Sequence, residues 1–441
     1  MHKCEDIHIL YTYVLILCSE RGVAMRSVVI DTHNDTLMKA VNEVTFEPEV
    51  DLSIDTDFHI DLPKMRQGNV DIAYFAAFSE DGSDVELAQH RICASFNALK
   101  ELEQNTQTGF QIYRGFTQLN QALLQNKRVG VRTIEGAYSL TEDNCLFLLK
   151  QYAHIGVQAI APVWNYSNAI GEGTLEAFQD GTKTEGGLTP LGYAFVKEMD
   201  RLGMMIDVSH MNEKTFWDVV KNSNEPIIAS HSGAYALKNH IRNLKDDQLI
   251  AIKQSGGVVN VVFCRYFLGD ENSNLETLLD HIEYISNLIG YEHVGLGSDF
   301  DGATMPIGLE DISKVPLIRV GLEKRGFSTE KIEAIMGNNN HRLLRHFDQK
   351  MNVCQLDEQQ RYSMKLNQTS QLTLIANKMI ALNQKNFSVI VDGQLSKAII
   401  NCEESSIQTE KRYEKDNRYH LVSLLDVDSD NLIFSDVFRF K

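Results

Sequence analysis

The chain has 441 residues, 43% of them hydrophobic and 23% charged, with only 7 prolines. That composition belongs to a globular protein with a large core and excludes wholesale disorder. A formal net charge of −18 repels phosphate backbones and anionic lipid, so nothing electrostatic supports a nucleic-acid partner.

In chain order, the first feature is an apolar segment at 7–18, preceded by Glu5-Asp6 and followed by Glu20-Arg21. It is similar to the apolar core of a secretory signal, but its acidic flank fits export poorly and it is too short to span a bilayer. Residues 1–24 therefore read as a leader, with Met25 as an alternative start. No other run reaches transmembrane length, so no stable membrane span is expected. The 7 cysteines show no CxxC pair and suggest free thiols in a reducing compartment. A cytoplasmic protein is expected; export is the alternative if residues 1–24 act as a signal peptide.

Eight short apolar runs follow, at 27–32, 70–78, 129–134, 157–163, 204–208, 226–230, 257–263 and 293–297, each succeeded by helical periodicity. Strands alternating with helices imply parallel pairing through right-handed crossovers. Eight such units predict an α/β fold of the (β/α)8 TIM-barrel type over residues 25–350. Thr189-Pro190 reads as a helix start and Gly203 as that helix's end. The glycine-rich stretch 171–187 is expected to form a mobile loop on the rim. Beyond residue 350 the pattern changes to a polar helical stretch near 357–383 and alternating runs at 387–391, 398–402, 420–426 and 432–438. Residues 351–441 are thus expected to form a small β-rich α+β appendage.

In such a barrel the site forms at the C-terminal ends of the strands. The first run ends in Thr32-His33-Asn34-Asp35, the third in Ile134-Glu135-Gly136, the fifth in Val208-Ser209-His210, the sixth in Ala229-Ser230-His231 and the eighth in Gly297-Ser298-Asp299. Neutral imidazole with carboxylate is the ligand set zinc favours. Six such groups exceed what one tetrahedral zinc needs, so two Zn2+ per chain, bridged by Glu135, fit better. Taken singly, a strand-end histidine is more often a hydrogen-bonded structural residue, Asp299 could cap a helix and Glu135 could be a solvated acid. Five strand ends carrying ligand types together argue for metal. His59, His154, His240, His293 and His341 have no rim partner in this reading.

The segments IDTHNDTL, TIEGAYSL, DVSHMNEKTFWDV, ASHSGAYAL, IRNLKDDQL and VGLGSDFDG, in this order, resemble the membrane dipeptidase (renal dipeptidase) family, zinc metallopeptidases of family M19 in the amidohydrolase superfamily. The resemblance implies a zinc-dependent dipeptidase acting on small dipeptides, including those with a C-terminal D-residue, and a homodimer. It implies that His33 and Asp35 bind the first zinc, that His210 and His231 bind the second, and that Glu135 bridges them. Asp299 would sit beside the metals and handle the proton of the attacking water. Arg242 would hold the substrate's C-terminal carboxylate, a role its planar fork suits; without the resemblance it reads as a surface arginine. Where animal members carry a substrate-binding histidine, this chain has Val163-Trp164-Asn165. Either Trp164 or Asn165 takes over a substrate contact, or the substrate differs, or Trp164 only packs under the loop. Two alternatives follow: an amidohydrolase acting on another small amide, a lactam or lactone or an N-acyl amino acid, and a non-catalytic barrel scaffold.

Overall fold

The computed structural model describes residues 27–79, 84–175, 186–351, 362–366, 371–376, 387–401 and 406–440. The expected leader at 1–24 and most of the glycine-rich loop lie outside the described residues.

Among the described residues, nine strands precede residue 300. They are β1 (Ile30–Asn34), β2 (Ile72–Phe78), β3 (Phe110–Ile112), β4 (Arg128–Glu135), β5 (Val157–Ala161), β6 (Met205–Ile206), β7 (Ile228–Ser232), β8 (Val258–Val261) and β9 (Val294–Leu296). One parallel sheet runs β1-β2-β4-β5-β6, with β3 added beside β4, and a second runs β7-β8-β9. Single parallel bridges join the two sheets, Asp207 with Ile228 and Asn34 with Phe300. All eight expected runs overlap one of these strands; the three-residue β3 was too short to stand out.

The strands form where they do because both of their faces are buried, which favours continuous apolar runs. Side chains two apart share a face. Ile72, Tyr74, Val129, Val131, Met205, Ile228 and Val258 pack with Leu343, Leu344 and Phe347 of the helix Asn339–Asp348. Ala73, Phe75, Ile160, Ala229, Val259 and Val261, of opposite parity, belong to a larger cluster with the surrounding helices. Thr189 caps the helix Pro190–Leu202 by accepting from Gly192 N at 3.0 Å, and Gly203 ends it at φ 73°. Parallel pairing leaves every strand's C-terminal end on one side.

The remaining strands are β10 (Tyr362–Leu366), β11 (Gln371–Ala376), β12 (Phe387–Val391), β13 (Gln394–Asn401), β14 (Ser406–Arg412), β15 (Tyr419–Asp426) and β16 (Asn431–Arg439). They form one antiparallel sheet in the order β10-β11-β14-β13-β12-β15-β16. Leu372, Leu374, Val389, Ile407, Val422, Leu424 and Phe434 make its core. The helical expectation at 357–383 is corrected where it is described: 362–366 and 371–376 are antiparallel strands, the rest lying outside the described residues. Burying Leu372 and Leu374 against the sheet outweighs the helix-favouring composition around them. The polar β14 was likewise not legible, since Ile407 is its one strongly apolar residue.

This sheet docks on the helices Val85–Gln104 and Cys145–His154 through buried hydrogen bonds. Gln151 donates from Nε2 to Ser423 Oγ at 2.8 Å and Leu421 O at 3.0 Å, and accepts from Gly393 N at 2.7 Å. His154 Nδ1 lies 2.8 Å from Ser435 Oγ, which bonds Ser423 Oγ at 2.7 Å.

Candidate metal centre and active site

His33 stands in β1 and Asp35 just past it, Glu135 closes β4, His231 lies in β7, and His210 and Asp299 occupy the segments after β6 and β9. His210 (φ 68°) and Asp299 (φ 63°) are in the left-handed region, a conformation costing about 1–3 kcal/mol that persists only where the surroundings fix it. Gly302 is required nearby, because a Cβ there would run into the carboxylates of both Asp35 and Asp299.

Glu135 Oε1 is the hub. It lies 2.9 Å from His210 Nε2, 3.5 Å from His231 Nε2 and 3.6 Å from His33 Nε2. His33 Nε2 is also 3.8 Å from Asp35 Oδ1 and 3.9 Å from Asp299 Oδ1. Two triads, His33–Glu135–His231 and His33–Asp35–Asp299, have ligand atoms close enough to share a cation.

The hydrogen bonds assign the tautomers. His210 Nδ1 donates to Asn165 Oδ1 at 2.8 Å, which leaves a lone pair on Nε2. Ser230 Oγ gives its proton to Asp207, so His231 Nδ1 donates to that hydroxyl at 2.8 Å and its Nε2 is also a lone pair. The two Nε2 atoms are 2.9 Å apart and both face the Glu135 carboxylate. Burial holds both imidazoles well below their usual pKa, so neither supplies a proton to separate these acceptors. Buried His33 Nε2 and Asp35 Oδ1 have no hydrogen-bond partner at all. Burial, then Asp35, pushes Glu135 well above the usual carboxylate range, and the same causes raise Asp299 to about 7. Burial opposes charge on His33, yet Glu135, Asp35 and Asp299 together lift it to about 10. Crowded carboxylates, facing lone pairs and orphaned atoms make a donor set that fits cations.

A cavity of about 520 Å3 opens above these groups, lined also by Trp164, Asn165, His240, Arg242 and Phe267. Arg242 is 5% exposed, lies over the Phe267 ring and donates from Nη2 to His231 Nε2 at 2.8 Å, so the surface reading of this arginine is corrected.

The family model described as membrane dipeptidase (peptidase family M19) matches residues 18–358. The chain belongs to the membrane dipeptidase family. An uncharacterised dipeptidase of Schizosaccharomyces pombe is 34% identical over 72% of this chain and 80% of its own length. The dipeptidase tcpJ of Claviceps purpurea is 31% identical over 72% of this chain and 76% of its own. Among solved structures, a metallopeptidase of Rhodobacter sphaeroides liganded with a phosphinate mimic of the dipeptide L-Ala-D-Ala superposes with a TM-score of 0.64. It is 28% identical and covers 72% of this chain and 98% of its own. The protein is accordingly a metal-dependent peptide-bond hydrolase, a metallo-dipeptidase.

Within this dipeptidase all six expected ligand-type residues, together with Arg242, Trp164 and Asn165, come to one rim. Asn165 turns its amide oxygen to His210 Nδ1 at 2.8 Å. Two supporting acids escaped the sequence reading. Asp207 accepts from Ser209 N at 3.0 Å, Ser230 N at 2.9 Å and Ser230 Oγ. Asp31, raised to about 6 chiefly by burial, accepts from Ser298 N at 2.7 Å and Oγ at 2.8 Å. Both lie inside the recognised segments, two or three residues before a ligand, which was the available signal. His240 is the one extra histidine at the cavity. No helix among the described residues is long and apolar enough to cross a membrane.

Proposed function

We propose that this dipeptidase holds two zinc ions at the rim of a closed (β/α)8 barrel and uses them to hydrolyse small dipeptides. The two bridges joining the parallel sheets support closure. The observation that carries the metal reading is the convergence of three histidine Nε2 atoms on Glu135 Oε1 within 3.6 Å. His33 and Asp35 would hold one ion, His210 and His231 the other, with Glu135 between them. Bound there, zinc would lower the pKa of a water toward ~7 and polarise the scissile carbonyl.

Asp299, whose Oδ1 lies 3.9 Å from His33 Nε2 at the same rim, would receive the proton of the attacking water and pass it to the departing amine. Arg242, buried beside His231 and with its Nε unpaired, is the group to grip the terminal carboxylate. Asn165 and the Ser230–Asp207 pair keep the histidines in the ligating tautomer. Residues 25–350 would be the catalytic unit and 351–441 an extension seated on its flank.

The test is release of free amino acids from a broad dipeptide panel by the zinc-loaded protein; silence across the panel would sink the substrate assignment. A second reading, another small amide such as a lactam or an N-acyl amino acid, draws on Trp164 standing at the cavity wall. Turnover of such substrates at least about tenfold above any dipeptide, ~1.4 kcal/mol in transition-state binding, would establish it instead. The scaffold reading has against it that every ligand-type residue is present.

A further inference from the structure

The cavity has two unlike ends. Arg242 touches His231, Trp164 touches His210 with ring centroids 5.8 Å apart, and the two histidine rings are 5.0 Å from each other. A dipeptide whose carboxylate meets Arg242 and whose amide lies over the histidine pair therefore directs its amino-terminal residue toward Trp164.

At that end the walls are apolar. The Trp164 ring meets Phe78 edge-on at 5.1 Å and Tyr166 at 5.7 Å, and Met38 and Leu175 also line the cavity. Among the described residues, the charged groups lining the cavity are the metal-rim carboxylates and Arg242, apart from histidine. The backbone that carries the indole is also held in place. Trp164 N donates to Tyr138 Oη at 3.3 Å, Tyr138 Oη donates to Tyr166 O at 2.8 Å, and Asn168 Nδ2 donates to Pro162 O at 2.7 Å. Binding against such a wall needs little ordering, which turns buried apolar area into affinity.

We propose that Trp164, with Phe78, Met38 and Leu175, forms a subsite for a large apolar or aromatic side chain on the amino-terminal residue of the substrate. The assignment rests on the dipeptidase reading above. Trp164 is thus the specificity-determining residue of this cavity.

The test compares kcat/KM for Phe-Ala, Leu-Ala, Gly-Ala and Glu-Ala with the metal-loaded full chain and its Trp164→Ala and Trp164→Phe variants. Phe-Ala and Leu-Ala should exceed Gly-Ala at least tenfold and Glu-Ala by more. Trp164→Ala should bring the Phe-Ala to Gly-Ala ratio below threefold, and Trp164→Phe should restore most of it. A binding readout accompanies the kinetics. The chain has 2 tryptophans, so Trp217→Phe leaves Trp164 as the only reporter. Its emission should change saturably with Phe-Ala and much less with Gly-Ala at equal concentration. Turnover of all four dipeptides with an unchanged ratio in Trp164→Ala would overturn the subsite alone. Turnover of none would overturn the dipeptide reading beneath it.

Discussion

Two buried polar regions of this protein are built to opposite rules. Where the antiparallel sheet docks on the helix Cys145–His154, each amide and hydroxyl at the seam finds a partner within the chain, Gln151 alone serving both as donor and as acceptor. At the rim, His33 Nε2 and Asp35 Oδ1 are equally buried and have none, and His210 Nε2 faces His231 Nε2, which Arg242 reaches, beside a carboxylate. Lone unpaired atoms such as Tyr74 Oη occur elsewhere. At the rim they fall within 4 Å of further acceptors. Closed polar networks hold structure; open ones of this density await a ligand.

The sharpest way to break the contrast is at its hub. Glu135→Gln should remove bound metal and lower kcat/KM by roughly a thousandfold or more while the far-ultraviolet circular dichroism stays native. Asp299→Asn should retain most of the metal yet lose about 10²–10⁴ in kcat, which separates proton handling from ligation. Asn165→Leu removes the acceptor for His210 Nδ1 and should weaken metal retention about 10–100-fold in a chelator competition.

The seam should respond to pH and not to chelators. Burial lowers His90 and His154 to about 4 in the folded chain, from an unfolded value near 6.5. The unfolded chain therefore binds more protons as pH falls from about 6.5 to 4, and each histidine should withdraw stability of order 2 kcal/mol across that window. His420 has the opposite sign: burial opposes its charge, but Asp392 and Asp416 raise it, so its contribution is present at low pH and lost as pH rises through its folded value. Denaturant titrations at pH 7.5 and 5 should thus show a net loss in acid. The smallest effect is expected from Gln151→Leu, which strands Gly393 N, whereas Ser423 Oγ keeps its bond to Ser435 and Leu421 O its bond to Asp392 N; it should cost about 1–2 kcal/mol with kcat/KM unaltered.

The rim was legible because parallel strands deliver their last residues to one place, so THND, IEG, VSH, ASH and GSD could be read off run ends without distances. The seam was not. Its partners, such as Gln151 with Leu421 and Ser423 or His154 with Ser435, are about 270–280 residues apart and share no periodicity. Asp207, and the bond from His210 to Asn165, were hidden for a related reason, since they depend on hydrogen bonds that only folding brings into line. The strands at 362–366 and 371–376 were misread because their composition favours helix and their pairing is set by neighbours.

The most direct test of the account is elemental analysis of the purified chain, run with amino-acid release from a dipeptide before and after chelation. About two zinc per chain, with release that stops on chelation and returns on zinc addition, is the predicted result. Undiminished release from chelated, metal-free protein would contradict it, because the open network at Glu135 would then have no part in the chemistry.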